Sequence, residues 1–381
     1  MNGVFFPNDP AGAFQAIHMP EFGISWAGAN PFGEGFCFGS EAGTLVLTDT
    51  MGRPRSFLGQ ASASGEAING VAYSQNWLAV TTRKDINLIA PLLFHSRHSQ
   101  EAVVISGGAP DVIVAPSGHF VVPLGPSGIM FVKPGMKEDD PVTVSNSSKL
   151  GMNFCRVAAL KGENENDLIV CAGRRGGIGF TDFREGIRGH ILQTVVFDEL
   201  DIVDVCSMGT AEHPLAVAAT GRDGSLVLFR DIRTDKKPLT LKLKSVTGTV
   251  YRILSAGGDI YLLTSNGLFA LFQLADRFRQ GLSLGELTTH VLRIPIEAAD
   301  ANLVDQRWLL AAGIDDVFRF DVHKMPKPPE GSTKPEDARQ AENTDVDGSW
   351  GAPTLPEQVE VEPHWEQSDF EQNLEHMASV V

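Results

Sequence analysis

Three basic sites stand at comparable places along the chain: Arg83-Lys84, Arg174-Arg175 and Arg222. Each occupies a short polar break between two apolar runs. Guanidinium groups offer planar, forked donors that match carboxylate or phosphate oxygens, so Arg sites brought together would hold an acidic or phosphorylated partner surface. The equivalent breaks elsewhere carry Glu41 and Asp315-Asp316. An assembly uniting these turns therefore has a basic side and an acidic side. The competing reading is that charged turns are simply solvated.

Other chemistry fails on context. The Gly-rich run Ala172–Gly179 lacks the Lys-Ser/Thr of a phosphate loop, and no helical pattern follows it, so it reads as a hairpin turn. His95 and His98 are three apart but have neither a helix nor cysteine partners, so no metal site is assigned. No Gly-x-Ser-x-Gly elbow is present. Asp85, Asp223 and Asp316 recur at the breaks, where turn preference accounts for them. No catalytic residue and no cofactor is expected. The four cysteines, Cys37, Cys155, Cys171 and Cys206, form no CxxC pair, and Cys37 and Cys171 lie inside apolar runs, which points to buried free thiols.

The elements that must position these turns repeat. In Pro214–Asp231 an apolar run, the turn Gly221-Arg222-Asp223-Gly224 and a second apolar run make a hairpin, since Asp and Gly tolerate positive φ. The same pattern opens at Gly43, Asp85, Gly128, Gly177, Gly224, Gly267 and Asp316, in steps of 42 to 49 residues. A run rich in small and β-branched residues lies upstream of the hairpin, as in 68–74, 111–117, 202–209 and 250–257, and a more alternating run lies downstream, as in 101–106, 191–197, 239–245 and 290–296, as expected of a strand with one wet face. A four-stranded sheet with two apolar faces is not stable alone, whereas seven of them stacked radially bury those faces. The spacing thus predicts an all-β, seven-bladed propeller of four-stranded blades over residues 1–322. The seventh blade lacks an outer strand, because HKMPKPPEGSTKPE after Asp321 is no strand. Phe14–Met19 is predicted to supply it and clasp the ring.

Ala42-Gly43-Thr44-Leu45-Val46-Leu47-Thr48-Asp49 resembles the third-strand signature of the WD-repeat-like seven-bladed β-propellers, with Thr48 in place of Trp. Thr181-Asp182 and Arg230-Asp231 end their strands similarly, and the resemblance spans residues 14–322. It implies a scaffold or recognition platform whose hairpin turns share one face of the disc.

The chain has 381 residues with 31 basic and 47 acidic ones, a formal charge of −16, which disfavours sequence-independent binding to nucleic acid or anionic membrane. From Met325 onward there are three basic and thirteen acidic residues, so most of the excess lies in the tail. Residues 323–381 read as a disordered acidic extension. Within it Ser368 and Glu371 have capping-box spacing, and Phe370, Leu374 and Met377 line one face of a short helix near 368–378, with Trp365 close by. No secretory leader and no membrane span is expected, and a cytoplasmic location fits the cysteines. These readings converge on a non-enzymatic scaffold or adaptor, a subunit of a hetero-complex, contacting protein partners through Arg83, Lys84, Arg174, Arg175 and Arg222 and through Trp365, Phe370, Leu374 and Met377. The alternative is a propeller enzyme, hydrolytic or metal-dependent, with an axial site.

Overall fold

The computed structural model describes residues 13–90, 103–137, 143–145, 153–161, 167–174, 177–183, 191–196, 200–235, 237–281, 291–325 and 327. They form seven antiparallel sheets of four strands, six of them meanders from an inner to an outer strand and the seventh completed by the N-terminal strand. Blade 1 is β2 (Ile24–Ala29), β3 (Phe36–Ser40), β4 (Thr44–Thr48) and β5 (Pro54–Gln60). Blade 2 is β6 (Gly70–Ser74) to β9 (Val103–Ser106), and blade 3 is β10 (Ile113–Val114) to β13 (Thr143–Ser145). Blades 4, 5 and 6 run β14 (Asn153–Lys161) to β17 (Ile191–Val196), β18 (Ile202–Ser207) to β21 (Leu239–Lys242), and β22 (Val250–Ala256) to β25 (Val291–Ile294).

Blade 7 joins β26 (Asp300–Val304), β27 (Trp308–Ala312) and β28 (Asp316–Asp321) to β1 (Phe14–His18), whose five residues pair antiparallel with β28. The N-terminal segment therefore closes the ring, as its sequence predicts.

The strand order follows burial. Second and third strands are apolar on both sides: β3, β8 (Asp85–Ile89), β19 (Val217–Gly221), β20 (Ser225–Phe229) and β24 (Gly267–Leu271) are buried along their whole length. Outer strands keep one or more wet positions, as in β9 and β21. Among the described residues seven separate apolar clusters occur, one at each interface between neighbouring blades. The cluster holding Ile17, Phe36, Phe38 and Leu310 seals blade 7 against blade 1. The core is thus a closed ring of wedges, which is why no single blade is stable alone.

Turn chemistry repeats with the blades. Gly43 and Gly224 hold the same hairpin position at φ +79° and +84°, the left-handed region, and a Cβ at Gly43 would meet Ser62 at 2.7 Å. At the second turn only Gly224 has positive φ. Asp223 instead accepts hydrogen bonds from Ser225 N at 3.0 Å and Ser225 Oγ at 2.9 Å. The aspartates ending third strands act alike. Asp49, Asp231 and Asp321 each accept from the backbone N–H two residues on, at 2.8, 2.8 and 3.2 Å, turning the chain out of the third strand.

Two features were not anticipated. A six-residue helix, α1 (Leu274–Arg279), lies between the third and outer strands of blade 6 and buries Leu274, Ala275 and Phe278. The inner strands of blades 1, 4, 5 and 6 each carry a β-bulge, at Ser25, Cys155, Val203 and Tyr251. The cysteines are free, with Cys37, Cys171 and Cys206 buried and Cys155 partly so. No helix among the described residues is long and apolar enough to cross a membrane.

Candidate functional site

Because the second and third strands of every blade are joined by an antiparallel hairpin, their turns lie on one face of the disc, which we call the hairpin face. Arg83 and Lys84 are exposed there between β7 (Trp77–Thr81) and β8. Lys84 pairs with Glu66, while Arg83 makes no polar contact among the described residues. Arg174 ends β15 (Asp167–Arg174) and sits opposite Asn153, in the hairpin expected of the Gly-rich run. Arg175 lies outside the described residues. Arg222 donates to Asp201 Oδ2 at 2.8 Å, and Lys242 reaches Asp223 Oδ2 at 3.2 Å. Across the ring closure, Glu41 and Asp315 are exposed and His18 Nδ1 is 2.9 Å from Asp316 Oδ1. The hairpin face thus carries basic side chains on blades 2 and 5 and acidic ones on blades 7 and 1, with local counter-charges beside Lys84 and Arg222. Trp365, Phe370, Leu374 and Met377 lie outside the described residues, as do His95 and His98.

Asp85 has a structural task. Its Oδ1 accepts from Thr82 Oγ1 at 2.6 Å and Asn87 Nδ2 at 2.8 Å, and its Oδ2 accepts from Ser64 N at 3.1 Å. Burial opposes charge on this carboxyl, but the donors of Thr82, Ser64 and Asn87 outweigh it and hold the group below the ordinary aspartate range. A depressed native pKa means stability that is present above the unfolded value of about 3.9 and lost as pH falls through the native one. Asp85→Ala is expected to cost about 1–3 kcal/mol at neutral pH and clearly less near pH ~3. Urea midpoints at the two pH values check this, and an equal cost at both would refute the charged role.

The polar residues that meet on the axis were not singled out from sequence. Arg156 of blade 4 has Nη1 3.4 Å from Asp111 Oδ2 and Nη2 3.4 Å from Asp300 Oδ1. Arg252 of blade 6 has Nη1 3.5 Å from the same Asp111 oxygen and Nε 3.2 Å from the same Asp300 oxygen. Two guanidiniums and two carboxylates therefore close a neutral four-membered ring drawn from blades 3, 4, 6 and 7. Asp204 of blade 5 is a fifth member, 3.6 Å from Arg252 Nε. Its carboxylate accepts from Val205 N at 2.9 Å and Ile253 N at 2.8 Å. The bulges at Cys155, Val203 and Tyr251 immediately precede Arg156, Asp204 and Arg252, and a bulge re-aims the side chain that follows it. Burial works against charge on Arg252, but Asp204, Asp300 and Asp111 together more than offset it, so the guanidinium stays protonated. Burial pushes the Asp204 carboxyl up from its ordinary value, against the pull of Arg252 and Arg156.

Around this centre the inner edges are stitched blade to blade. Ser25 Oγ donates to Ile68 O at 2.9 Å and Asn69 Nδ2 to Ala109 O at 2.9 Å. Arg156 Nη1 donates to Pro110 O at 3.0 Å and Cys155 Sγ to Val203 O at 3.3 Å. Ile253 N reaches Asp204, Arg252 Nε donates to Ala301 O at 3.0 Å, and Asn302 Nδ2 donates to Ala27 O at 2.8 Å. Each of the seven neighbouring pairs has at least one such bond. A shared function emerges for residues of different type: they satisfy inner-strand groups that have no further strand to pair with.

No protein-family model and no curated protein matches the sequence. Solved structures do. The β-propeller domain of Cps50 (Swd1) from Myceliophteria thermophila aligns at TM-score 0.58 and 14% identity, covering 81% of this chain and 99% of that one. A catalytically inactive virginiamycin B lyase from Staphylococcus aureus, solved with quinupristin, aligns at TM-score 0.58 and 10% identity with the same coverage. At such identities the likeness is one of architecture, and together with the seven closed sheets it makes this chain a seven-bladed β-propeller of the kind that WD-repeat-like proteins adopt.

Proposed function

We propose that the protein is a non-enzymatic scaffold or adaptor that presents the hairpin face of its propeller and its acidic tail, residues 323–381, to partner proteins. The observation that carries this reading is the state of the axis. Three carboxylates converge there, as an axial active site would need, yet Asp111 and Asp300 each bridge two arginines and Asp204 is held by two backbone N–H groups. Acids so engaged favour a structural task, which leaves the faces and the tail as the working surface. Arg83, with no partner of its own among the described residues, and the neighbouring Lys84, Arg174, Arg175 and Arg222 suit an acidic or phosphorylated partner surface. The apolar anchors Trp365, Phe370, Leu374 and Met377 suit a groove on a protein partner. Free cysteines fit a cytoplasmic location.

Co-purification from the native host, read by mass spectrometry, tests the proposal. A chain with Arg83, Lys84, Arg174, Arg175 and Arg222 reversed to Glu is expected to lose its partner by about tenfold or more at low salt, because charge complementarity steers and orients encounter. Truncation after residue 324 separates the contribution of the tail. Undiminished capture by both variants would count against these surfaces.

The second reading, a propeller enzyme with an axial site, is favoured by the convergence of acids alone. It requires a turnover that is lost in Asp300→Asn while the variant stays folded.

A further inference from the structure

We propose that Asp204 is a proton-binding group at the axis of the propeller, and that the ring is held more firmly when this group takes up a proton on mild acidification. Asp111, Asp300, Arg156 and Arg252 neutralise one another within their own four-membered ring. Asp204 is left as surplus negative charge, with a side chain only 3% exposed.

Among the described residues its surroundings supply no further cation. On its own strand the nearest titratable group is Cys206, buried and held as a thiol, its pKa raised by burial first and then by the charge of Asp204. From blade 4 come Arg156 and Cys155, whose thiol is already turned to Val203 O. From blade 6 comes Arg252, and across the axis lie Asp111 and Asp300, which share the charge of Asp204. On the other side its strand neighbour is Thr220, which is uncharged. An excess buried charge that cannot be paired is relieved by binding a proton.

The geometry leaves room for that proton. Each oxygen of Asp204 accepts one N–H, and each has a second lone pair, so protonation need not break either bond. Relief of the surplus charge also removes its repulsion toward Asp111 and Asp300, the two acids that join blades 3 and 7 to the arginines of blades 4 and 6. Burial acts on the acid in the same direction. A carboxyl whose native pKa is raised binds protons more tightly folded than unfolded. Its contribution is therefore fully present below the unfolded value and is lost as pH rises through the native one.

Asp204→Asn fixes the neutral state. It costs a pH-independent loss, because the amide has one acceptor oxygen where the acid has two. Denaturant midpoints of the wild type and Asp204→Asn are measured from about pH 5 to about pH 8, with Asp85→Asn, a buried acid outside the axial network that is held in its charged form, as the control. The expected result is that the midpoint gap moves in favour of Asp204→Asn as pH rises, while the control does not show that drift. A gap that is flat with pH, or that moves the other way, overturns the proposal. Should Asp204→Asn fail to fold, the infrared spectrum of the wild type decides. A protonated carboxyl band from a buried site should be present on the acid side of the range and disappear as pH is raised. Its absence throughout also overturns the proposal.

Discussion

Arg252→Met should lower the unfolding free energy at neutral pH by about 3–5 kcal/mol, the cost of removing one partner from a buried ionic network and leaving the other charges behind. Arg252 is the hub. It donates to Ala301 O and to Asn302 Oδ1, at 3.0 and 3.1 Å, and lies within 3.6 Å of Asp111, Asp204 and Asp300. Methionine fills much of the same volume but offers no positive charge, so three carboxylates would face Arg156 alone. The loss should be greatest at neutral pH and smaller in acid, where the abandoned carboxyls can take up protons. Equilibrium urea unfolding at two pH values gives both quantities. A loss below about 1 kcal/mol, the size usual for an exposed ion pair, would mean that the network adds little and that apolar packing between blades carries the ring by itself.

Removal of residues 1–20 should be comparably damaging, through a different mechanism. β1 buries Phe14 in the apolar cluster between blades 6 and 7 and Ile17 in the cluster between blades 7 and 1. Losing two such side chains forfeits about 1.5–3 kcal/mol each. The deletion also strips β28 of five paired residues and exposes a flat strand edge. The melting temperature should fall by roughly 5–15 °C, with aggregation as the exposed edge finds other chains. A peptide covering residues 13–20, added to the truncated protein, should recover part of the loss. An unchanged melt would show that β1 only decorates blade 7.

The two variants separate the two kinds of closure. The strand exchange at β1 and β28 closes the ring at its rim, by backbone pairing and apolar burial. Arg252 and Arg156 close it at the axis, across blades that are far apart in the chain. Loss of either should leave the other in place, and the combined variant should show whether their effects are independent or coupled.

Much of the architecture was legible in the residue pattern because it rests on local rules repeated seven times. GFCFGS, WLAVTTR and PLAVAATG read as strands apolar on both sides, and all three are buried second strands. The missing outer strand of blade 7 was found by the same rule, since a period with no final strand must borrow one. Helix α1 was not found, because Leu274, Ala275 and Phe278 cover too few residues for a helical period to stand out from a turn. Arg83, Lys84 and Arg222 fall between second and third strands, where the sequence placed them, but the counter-charges of Lys84 and Arg222 were not visible. Glu66 lies 18 residues before Lys84, and Asp201 lies 21 before Arg222.

The axis shows where reading along the chain ends. Arg156, Asp204 and Arg252 each interrupt an apolar stretch, as in FCRV, IVDV and VYRI, and that interruption is a signal in plain view. Its meaning requires partners that lie up to 144 residues away, as for Arg156 and Asp300. Periodicity and turn chemistry alone determined that there are seven wedges and how each is folded, because hydrophobic alternation and glycine turns act over a few neighbouring residues. Only the closed tertiary structure decided which charges meet. Electrostatic pairing depends on distance in space, and the ring brings together at its centre groups that the chain keeps apart.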